Sequence, residues 1–317
     1  MRTSVFISAV LLFFFASCRK EKMELLTYEV SSHTTHQLHK VFFVNDSVGY
    51  VCGGSRYFIG IVSRTTDGGK TWTMPDSVFP KVIYAAHFFN GQEGFLGGFD
   101  SWWGYTNDSA KTVPAWTGDY QPINDIHFFN RDKGARVSGG GYAEGYIYTT
   151  TDGGNNWSRT EKLNTMRAVE WVDENTIYAS GYGVIYKSTN GGHSFNPCDA
   201  RGDFFVALDF VNPQVGYFVG YQGLILKTTD GGNSFRKIHK GNAPFGKRFH
   251  WEAIKFWDEN TGYVAGDDGL FYRTENGGDT WQVAKQFTSA NLRCIHLFTA
   301  NDGIVVGDDG KIFLFKY

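Results

Sequence analysis

The chain has 317 residues, of which 42% are hydrophobic and 17% aromatic, and its formal net charge is −2. A chain of this size can bury a large core, and its near-neutral charge excludes the broad positive field that recruits nucleic acid. With 39 glycines and only 7 prolines, the composition is typical of short strands joined by tight turns, and we expect an all-β protein.

The N-terminus has the pattern of an export signal. Arg2 precedes an apolar run, residues 4–16, that is too short to span a membrane comfortably. The run ends in Phe-Ala-Ser-Cys at residues 15–18, which resembles the lipobox of bacterial lipoproteins. That resemblance implies cleavage before Cys18 and acylation of its thiol. An ordinary cleaved signal is the alternative.

This interpretation divides the chain into three parts. Residues 1–17 are the predicted lipoprotein signal peptide, residues 18–23 the anchor and linker, and residues 24–317 the folded domain. The protein is then an exported bacterial membrane lipoprotein, on the periplasmic side or at the cell surface. Its lipid on Cys18 would hold it to the membrane. The three other cysteines cannot all pair with one another, and their spacing does not suggest a metal site: Cys52, Cys198 and Cys294.

An internal repeat dominates the rest of the sequence. The motif Thr-Thr-Asp-Gly-Gly-Lys-Thr-Trp at residues 65–72 returns at 150–157, 188–195, 228–235 and 274–281, with a decayed copy near Asp108. The copies are 38 to 46 residues apart. This period suits a four-stranded propeller blade.

A second repeated element precedes each copy, and the number of its occurrences predicts the number of blades. It is an apolar strand, an Asn or Asp turn and a following strand that often begins Gly-Tyr. It occurs seven times, near Val44, Phe89, Phe129, Val172, Val211, Trp257 and Phe298. The seventh occurrence of this second element has no Asp-containing motif after it, and residues 24–31 belong to none of the seven repeats. We therefore predict a seven-bladed β-propeller of four-stranded antiparallel blades, closed by an N-terminal strand that completes the last blade.

These repeats resemble those of Asp-box (BNR) propellers, and most closely the photosystem II assembly and stability factor family. The resemblance covers nearly all of residues 24–317. It implies help in assembling or stabilising a membrane complex. We expect a non-enzymatic scaffold with a protein partner, and no cofactor, because the sequence has no Rossmann or Walker motif. The resemblance does not imply photosynthesis itself. We expect a monomer.

The Asp-box residues themselves have a structural explanation. The side-chain oxygen can accept backbone N–H groups within its own turn, and the two glycines allow positive φ. A catalytic carboxylate would not be repeated five times with Asn replacing Asp. We therefore assign a structural role to Asp67, Asp152, Asn190, Asp230 and Asn276.

A carbohydrate-active protein, either a glycoside hydrolase or a lectin, is the alternative function, because sialidases share Asp boxes. The sequence lacks the Arg-Ile-Pro motif that sialidases carry near their first strands. Two facing carboxylates would still suffice for hydrolysis. The candidates are the Gly-Asp-Asp-Gly turns at residues 266–269 and 307–310, which are also favourable turn sequences. We predict no catalytic residue.

Alignment of the seven inner strands reveals a polar column. Phe42 occupies it in the first blade, and the other six members are His87, His127, Glu170, Asp209, Lys255 and His296. We expect this column to line a hydrated central channel in which Lys255 balances Asp209. A metal site formed by the histidines with Glu170 and Asp209 is the alternative. His33, His36 and His39 have a spacing that does not suit a metal site on a strand.

The loops predict a binding surface. Loops that lead into the inner strands, together with turns between second and third strands, fall on one face of a propeller. They concentrate aromatic and basic residues, the types that dominate binding hot spots. The candidates are Arg56, Tyr57, Trp102, Trp103, Tyr142, Tyr182, Arg201, Phe204, Tyr221, Lys247, Arg248 and Trp251. We expect a protein partner there, with a glycan as the alternative.

Overall fold

The computed structural model describes residues 24–73, 77–116, 118, 120–141, 144–240 and 249–317. The predicted signal peptide and Cys18 lie outside the described residues, as do Tyr142, Lys247 and Arg248 of the predicted binding surface. Within those described ranges, no helix is long and apolar enough to cross a membrane.

The described residues form seven four-stranded antiparallel sheets, arranged as the blades of a propeller. This confirms the predicted fold class. The innermost strands are β2 (Gln37–Phe43), β6 (Ile83–Phe88), β10 (Ile123–Phe128), β14 (Met166–Trp171), β18 (Phe205–Phe210), β22 (Trp251–Phe256) and β26 (Leu292–Leu297). The second strands are β3 (Gly49–Ser55), β7 (Gly94–Gly98), β11 (Gly134–Ser138), β15 (Ile177–Gly181), β19 (Gly216–Gly220), β23 (Gly262–Gly266) and β27 (Asp302–Gly307).

The outer half of each blade contains shorter strands. The third strands are β4 (Ile59–Thr65), β8 (Trp103–Thr106), β12 (Gly145–Thr150), β16 (Val184–Ser188), β20 (Leu224–Thr228), β24 (Phe271–Thr274) and β28 (Ile312–Lys316). The fourth strands are β5 (Ser77–Phe79), β9 (Ala115–Trp116), β13 (Ser158–Lys162), β17 (Asn196–Pro197), β21 (Arg236–Lys240), β25 (Gln282–Val283) and β1 (Leu26–Val30). Three 3₁₀ turns lie between second and third strands: η1 (Phe99–Ser101), η2 (Asp267–Gly269) and η3 (Asp308–Gly310).

The chain start and the chain end meet in the seventh blade. Strand β1 pairs antiparallel with β28, so that Leu26 lies opposite Lys316 and Val30 opposite Ile312. The Lys311 ammonium adds an ion pair of 2.6 Å to the Glu29 carboxylate. The predicted closure by the N-terminal strand is therefore confirmed, and the outer edge of β28 is paired.

Side chains within each Asp box hold its turn together. At Asp67, one carboxylate oxygen accepts the Thr71 N–H at 2.9 Å and the other accepts the Thr71 hydroxyl at 2.6 Å. The Thr65 hydroxyl oxygen accepts the Gly69 N–H at 3.0 Å. The hydrogen bonds from Thr71 lower the pKa of Asp67 to about 2. The carboxylate therefore serves the turn rather than a reaction.

Asparagine fills the same role without a charge. The decayed copy in the second blade also keeps the turn. The amide oxygen of Asn190 accepts the Ser194 N–H at 3.0 Å, much as Asp67 accepts that of Thr71. In the second blade Asp108 accepts the Thr112 N–H at 3.0 Å. There Ser109 and Ala110 adopt the left-handed conformation that the glycines adopt elsewhere, with φ of 66° and 62°. The second blade thus keeps the turn at the cost of backbone strain.

A tyrosine near the start of the second strand joins neighbouring blades. In three of four described cases its ring stacks on the last aromatic of the next inner strand, as Tyr50 does on Phe88 with ring centroids 3.7 Å apart. Its hydroxyl donates to a backbone carbonyl in a loop of a following blade. Four such bonds occur, from Tyr50 to Gly91, Tyr178 to Gly231, Tyr217 to Glu259 and Tyr263 to Ala300. The recurring tyrosine is therefore explained by contacts between blades.

Candidate functional site

The inner strands surround a central cavity of about 550 Å³. Every member of the predicted polar column lines it: Phe42, His87, His127, Glu170, Asp209, Lys255 and His296. Each inner strand is the edge of its blade, so its outward N–H groups on the cavity side have no neighbouring strand to accept them. The polar column supplies acceptors for several of them.

Four column residues bond to the backbone of the following blade. The imidazole Nδ1 of His127 accepts the Trp171 N–H at 3.0 Å, and Asp209 accepts the Phe256 N–H at 2.6 Å. His87 bonds in the same way to Phe128, and Glu170 to Phe210. In each case the donor directly follows the column residue of its own blade. The column therefore ties the inner strands together around the cavity, which is a structural role.

Charges in the cavity are mostly paired. The Lys255 ammonium forms an ion pair with Asp209, and Lys40 forms another of 2.9 Å with Asp125. Burial, reinforced by the neighbouring Asp209 carboxylate, raises the pKa of Glu170 to about 8, so this acid is mainly protonated at neutral pH. Burial lowers the pKa values of His87 and His127 to about 3, which leaves both imidazoles neutral.

The structure offers no support for metal binding in the described part of the chain. There, no three His, Cys, Asp or Glu side chains come close enough to share an ion. The three N-terminal histidines do not come together. His33 is exposed, His36 bonds to the Ser55 hydroxyl at 2.8 Å, and His39 lines the cavity. Cys52, Cys198 and Cys294 are free thiols.

A second polar ring surrounds the mouth of the cavity, and sequence reasoning missed it. All seven inner strands contain a β-bulge near their first residue, as at Leu38/Lys40 and Trp251/Ala253. The bulge turns the second aligned residue of each strand toward the cavity, where simple alternation would not place it. The ring consists of His39, Tyr84, Asn124, Arg167, Val206, Glu252 and Arg293. Six of these seven side chains are polar or amphipathic, and that column was readable in the alignment.

The mouth ring contains both paired and unpaired charge. Arg293 grips Asp308 with two hydrogen bonds of 2.5 and 3.0 Å, and lies 3.9 Å from Glu252. Arg167 bonds to the amide oxygen of Asn124 at 3.3 Å. It forms no ion pair among the described residues. Burial lowers the pKa of Arg167, a sign that its charge lacks full compensation.

The mouth opens on what we term the front face, formed by the loops into the inner strands and the turns between second and third strands. Several aromatic residues are exposed there. Tyr57 is 57% and Phe58 64% exposed, and both contact the Phe99 ring, with centroids 4.6 and 6.5 Å away. Tyr182, Tyr221 and Tyr120 are exposed elsewhere on this face, and Arg56 and Arg201 are exposed as well.

Two tryptophans predicted for this surface, Trp102 and Trp251, are buried, and the third, Trp103, is half-buried, so that part of the prediction is wrong. Trp102 is only 3% exposed and packs on Phe79, while Trp251 is 1% exposed and donates to the Gly223 carbonyl at 3.1 Å. Trp103 lies between blades, 3.9 Å beneath the Arg136 guanidinium. A tryptophan beside a loop can fill the core as readily as a surface, because large aromatic rings stabilise both. Phe204 is half-buried and contacts Tyr182, 5.4 Å between ring centroids.

The paired acidic turns do not converge on the cavity. The first acid of each turn is used internally: Asp267 contacts His250 at 3.1 Å, and Asp308 is held by Arg293. The second acids, Asp268 and Asp309, are exposed with φ of 54° and 57°. None of the four lines the central cavity. Their arrangement is that of turn residues.

The fold and its repeats define a class, the seven-bladed Asp-box propellers. The profile of the family described as Photosynthesis system II assembly factor YCF48 matches residues 199–286. The predicted resemblance to photosystem II assembly factors is thereby confirmed. None of the curated proteins matches the chain.

Solved structures of similar shape cover nearly the whole chain. YCF48 bound to a D1 peptide has a TM-score of 0.71 at 18% identity, over 93% of this chain and 97% of that one. YCF48 from Cyanidioschyzon merolae has a TM-score of 0.68 at 18% identity, over 92% and 98%. The WD40 beta propeller domain of Doa1 reaches 0.69 at 13% identity, over 92% and 97%. At such identities the likeness shows the shared fold.

Proposed function

We propose that this protein is a non-enzymatic binding scaffold that engages a protein partner through its front face. A lipid on Cys18 would hold it to a bacterial membrane from the exported side, either in the periplasm or at the cell surface. The observation that carries the proposal is the exposed aromatic cluster of Tyr57 and Phe58. The other recurrent features of the chain serve to build or join the blades. This cluster also contacts Phe99 of the second blade, but more than half of each of its two side chains stays exposed.

The turn that presents the cluster is strained. Arg56 and Tyr57 both adopt left-handed backbone, with φ of 53° and 63°, where non-glycine residues cost on the order of 1–3 kcal/mol each. The Lys81 ammonium lies 5.0 Å from the Phe58 ring centroid and 5.6 Å from that of Phe99, so a cation flanks the apolar rings. Aromatic rings beside a cation suit a protein surface. The similarity to YCF48, one structure of which holds a D1 peptide, supports a protein partner.

The front face should lose its partner when the cluster is removed. We expect the double variant Tyr57→Ser/Phe58→Ser to abolish co-purification of the protein that the native lipoprotein captures from its own membranes. Trp257→Ser is the matched control, because Trp257 is 50% exposed at the opposite end of the blades. Capture can be quantified by mass spectrometry, with thermal unfolding to verify the fold.

Two results would contradict the scaffold. Equal loss of the partner in both variants would show that the front face is not the binding surface. Turnover of a glycoside that disappears with Asp268→Asn or Asp309→Asn would favour the carbohydrate-active alternative.

The anchor can be tested separately. We expect Cys18→Ala to move the protein from the membrane fraction to the soluble fraction, because no lipid can then be attached to residue 18. Cys198→Ala is the control and should remain with the membrane. Immunoblots of separated fractions measure the outcome, and unchanged membrane association of the Cys18 variant would refute the lipoprotein interpretation.

A further inference from the structure

The mouth of the central cavity has an excess of hydrogen-bond donors. Arg167 contacts the Asn124 amide oxygen but forms no ion pair within the described ranges. The Tyr84 hydroxyl and the His39 imidazole also line the mouth, and neither has a hydrogen-bond partner in the part of the chain that the structure describes. Their rings contact each other edge to face, with centroids 5.1 Å apart. Three donor-bearing side chains therefore face one opening, and the acceptor that they bond among the described residues is the Asn124 amide oxygen.

The aspartates that line the cavity are paired with other cations: Asp125 with Lys40 and Asp209 with Lys255. Asp308, which does not line the cavity, pairs with Arg293. Glu252, the acid within the mouth ring, lies at the ion-pair limit of 3.9 Å from Arg293. Burial raises its pKa, against the opposing effect of Arg293 and Arg167. The guanidinium of Arg167 is thus the cation that the cavity leaves without its own carboxylate.

The histidine at the mouth is a donor rather than a second cation. Burial, with a further effect from the nearby Arg293 charge, lowers the pKa of His39 to about 3. A neutral imidazole keeps one N–H to donate. The site therefore combines one permanent charge with neutral donors, which suits an anion of low charge.

We propose that the mouth of the central cavity binds a small oxyanion, a carboxylate or a phosphate, between Arg167, Tyr84 and His39. The Arg167 guanidinium has a planar fork of donors that matches two oxygens of such an anion. The Tyr84 hydroxyl donates to an oxygen of the same group. A cavity of about 550 Å³ admits a small organic acid whole.

Binding can be measured on the folded protein by isothermal titration with inorganic phosphate and, separately, with succinate, in chloride-free buffer at neutral pH. We expect one site per chain for at least one probe, and preference between the two identifies the oxyanion class. Arg167→Met should remove binding. Tyr84→Phe, which deletes one hydroxyl and keeps the ring, should weaken it by about tenfold.

Matched variants distinguish a built site from general attraction of anions. Arg56→Met removes an exposed arginine from the same face and should leave the affinity unchanged. Equal affinity in the native protein and Arg167→Met, or equal losses in Arg56→Met and Arg167→Met, would overturn the proposal. So would the absence of heat with both probes at millimolar concentration. If Arg167→Met does not fold, Tyr84→Phe decides the matter. The outcome is independent of partner capture, because Tyr57→Ser/Phe58→Ser should bind the anion normally.

Discussion

Deletion of residues 24–31 is expected to lower the thermal unfolding midpoint by on the order of 10 °C, since each kcal/mol shifts the midpoint of a large domain by a few degrees. The deletion removes β1, all five of whose residues pair with β28 between Ile312 and Lys316. The outer edge of β28 would then be open. The tie between the start and the end of the chain would also be lost, so the ring could open at its seam. Calorimetry on the mature domain measures the change.

The control for this deletion keeps the strand and alters its exposed side chains. Leu26 and Tyr28 are 52% and 60% exposed, so Leu26→Ser/Tyr28→Ser should change the midpoint by a few degrees at most. A synthetic peptide of residues 24–35 should restore part of the stability lost in the deletion variant. An unchanged midpoint after deletion would show that three strands suffice for the seventh blade and that closure contributes nothing.

The blade count and the closure could be predicted because they depend on repetition. A turn such as that of Asp67, with its two glycines and its tryptophan, recurs with few changes only if each copy builds the same local structure. The polar column could be predicted for a related reason. A residue such as Glu170 between two apolar neighbours, repeated in register, has a single side of the strand available to it. The same local rules apply in all seven blades, so few other arrangements of the strands are compatible with the sequence.

The inward direction of the mouth-ring side chains and the burial of the tryptophans could not be predicted by those rules. The bulge that turns Arg167 inward is a departure from alternation, and it leaves no turn residue as a marker. Trp102 follows a turn whose sequence suits exposure, yet the ring packs on Phe79 in the core of its blade. Whether a side chain packs inward or stays exposed depends on the space that neighbouring blades leave empty. That information is distributed over distant parts of the chain.

Asp209 and Glu170 should share the task of compensating Lys255. At neutral pH Asp209 pairs with Lys255, and burial together with the Asp209 charge keeps Glu170 protonated, its pKa raised to about 8. In Asp209→Asn that repulsion disappears, so Glu170 should ionise and take over the ion pair. We therefore expect the single variant to cost only about 1–2 kcal/mol of unfolding free energy, mainly through a weaker bond to the Phe256 N–H.

The double variant Asp209→Asn/Glu170→Gln leaves Lys255 without either acid. Loss of a buried partner costs about 3–5 kcal/mol, and the lower end applies because the Lys255 side chain is 42% exposed to the cavity. Glu170→Gln alone should be nearly neutral at pH 4.5 and should stabilise the protein at pH 6, where the folded native carboxyl still has to keep its proton. The carboxyl of Glu170 keeps its proton in the folded state up to about pH 8, whereas the unfolded chain releases it near 4.5. Native stability should therefore fall as pH rises between those values, and Glu170→Gln should remove that fall.

Urea unfolding of the four proteins of this cycle, at pH 6 and pH 8, separates the two effects. If either acid can pair with Lys255 when the other is absent, the double variant should lose clearly more stability at pH 6 than the two single variants lose in sum. Additive losses would mean that Glu170 never reaches Lys255, and that its bond to the Phe210 N–H is its whole role. The cavity would then have one fixed ion pair at this position. With coupling, the fourth, fifth and sixth blades hold a charge network in which a proton on Glu170 replaces the need for a second cation.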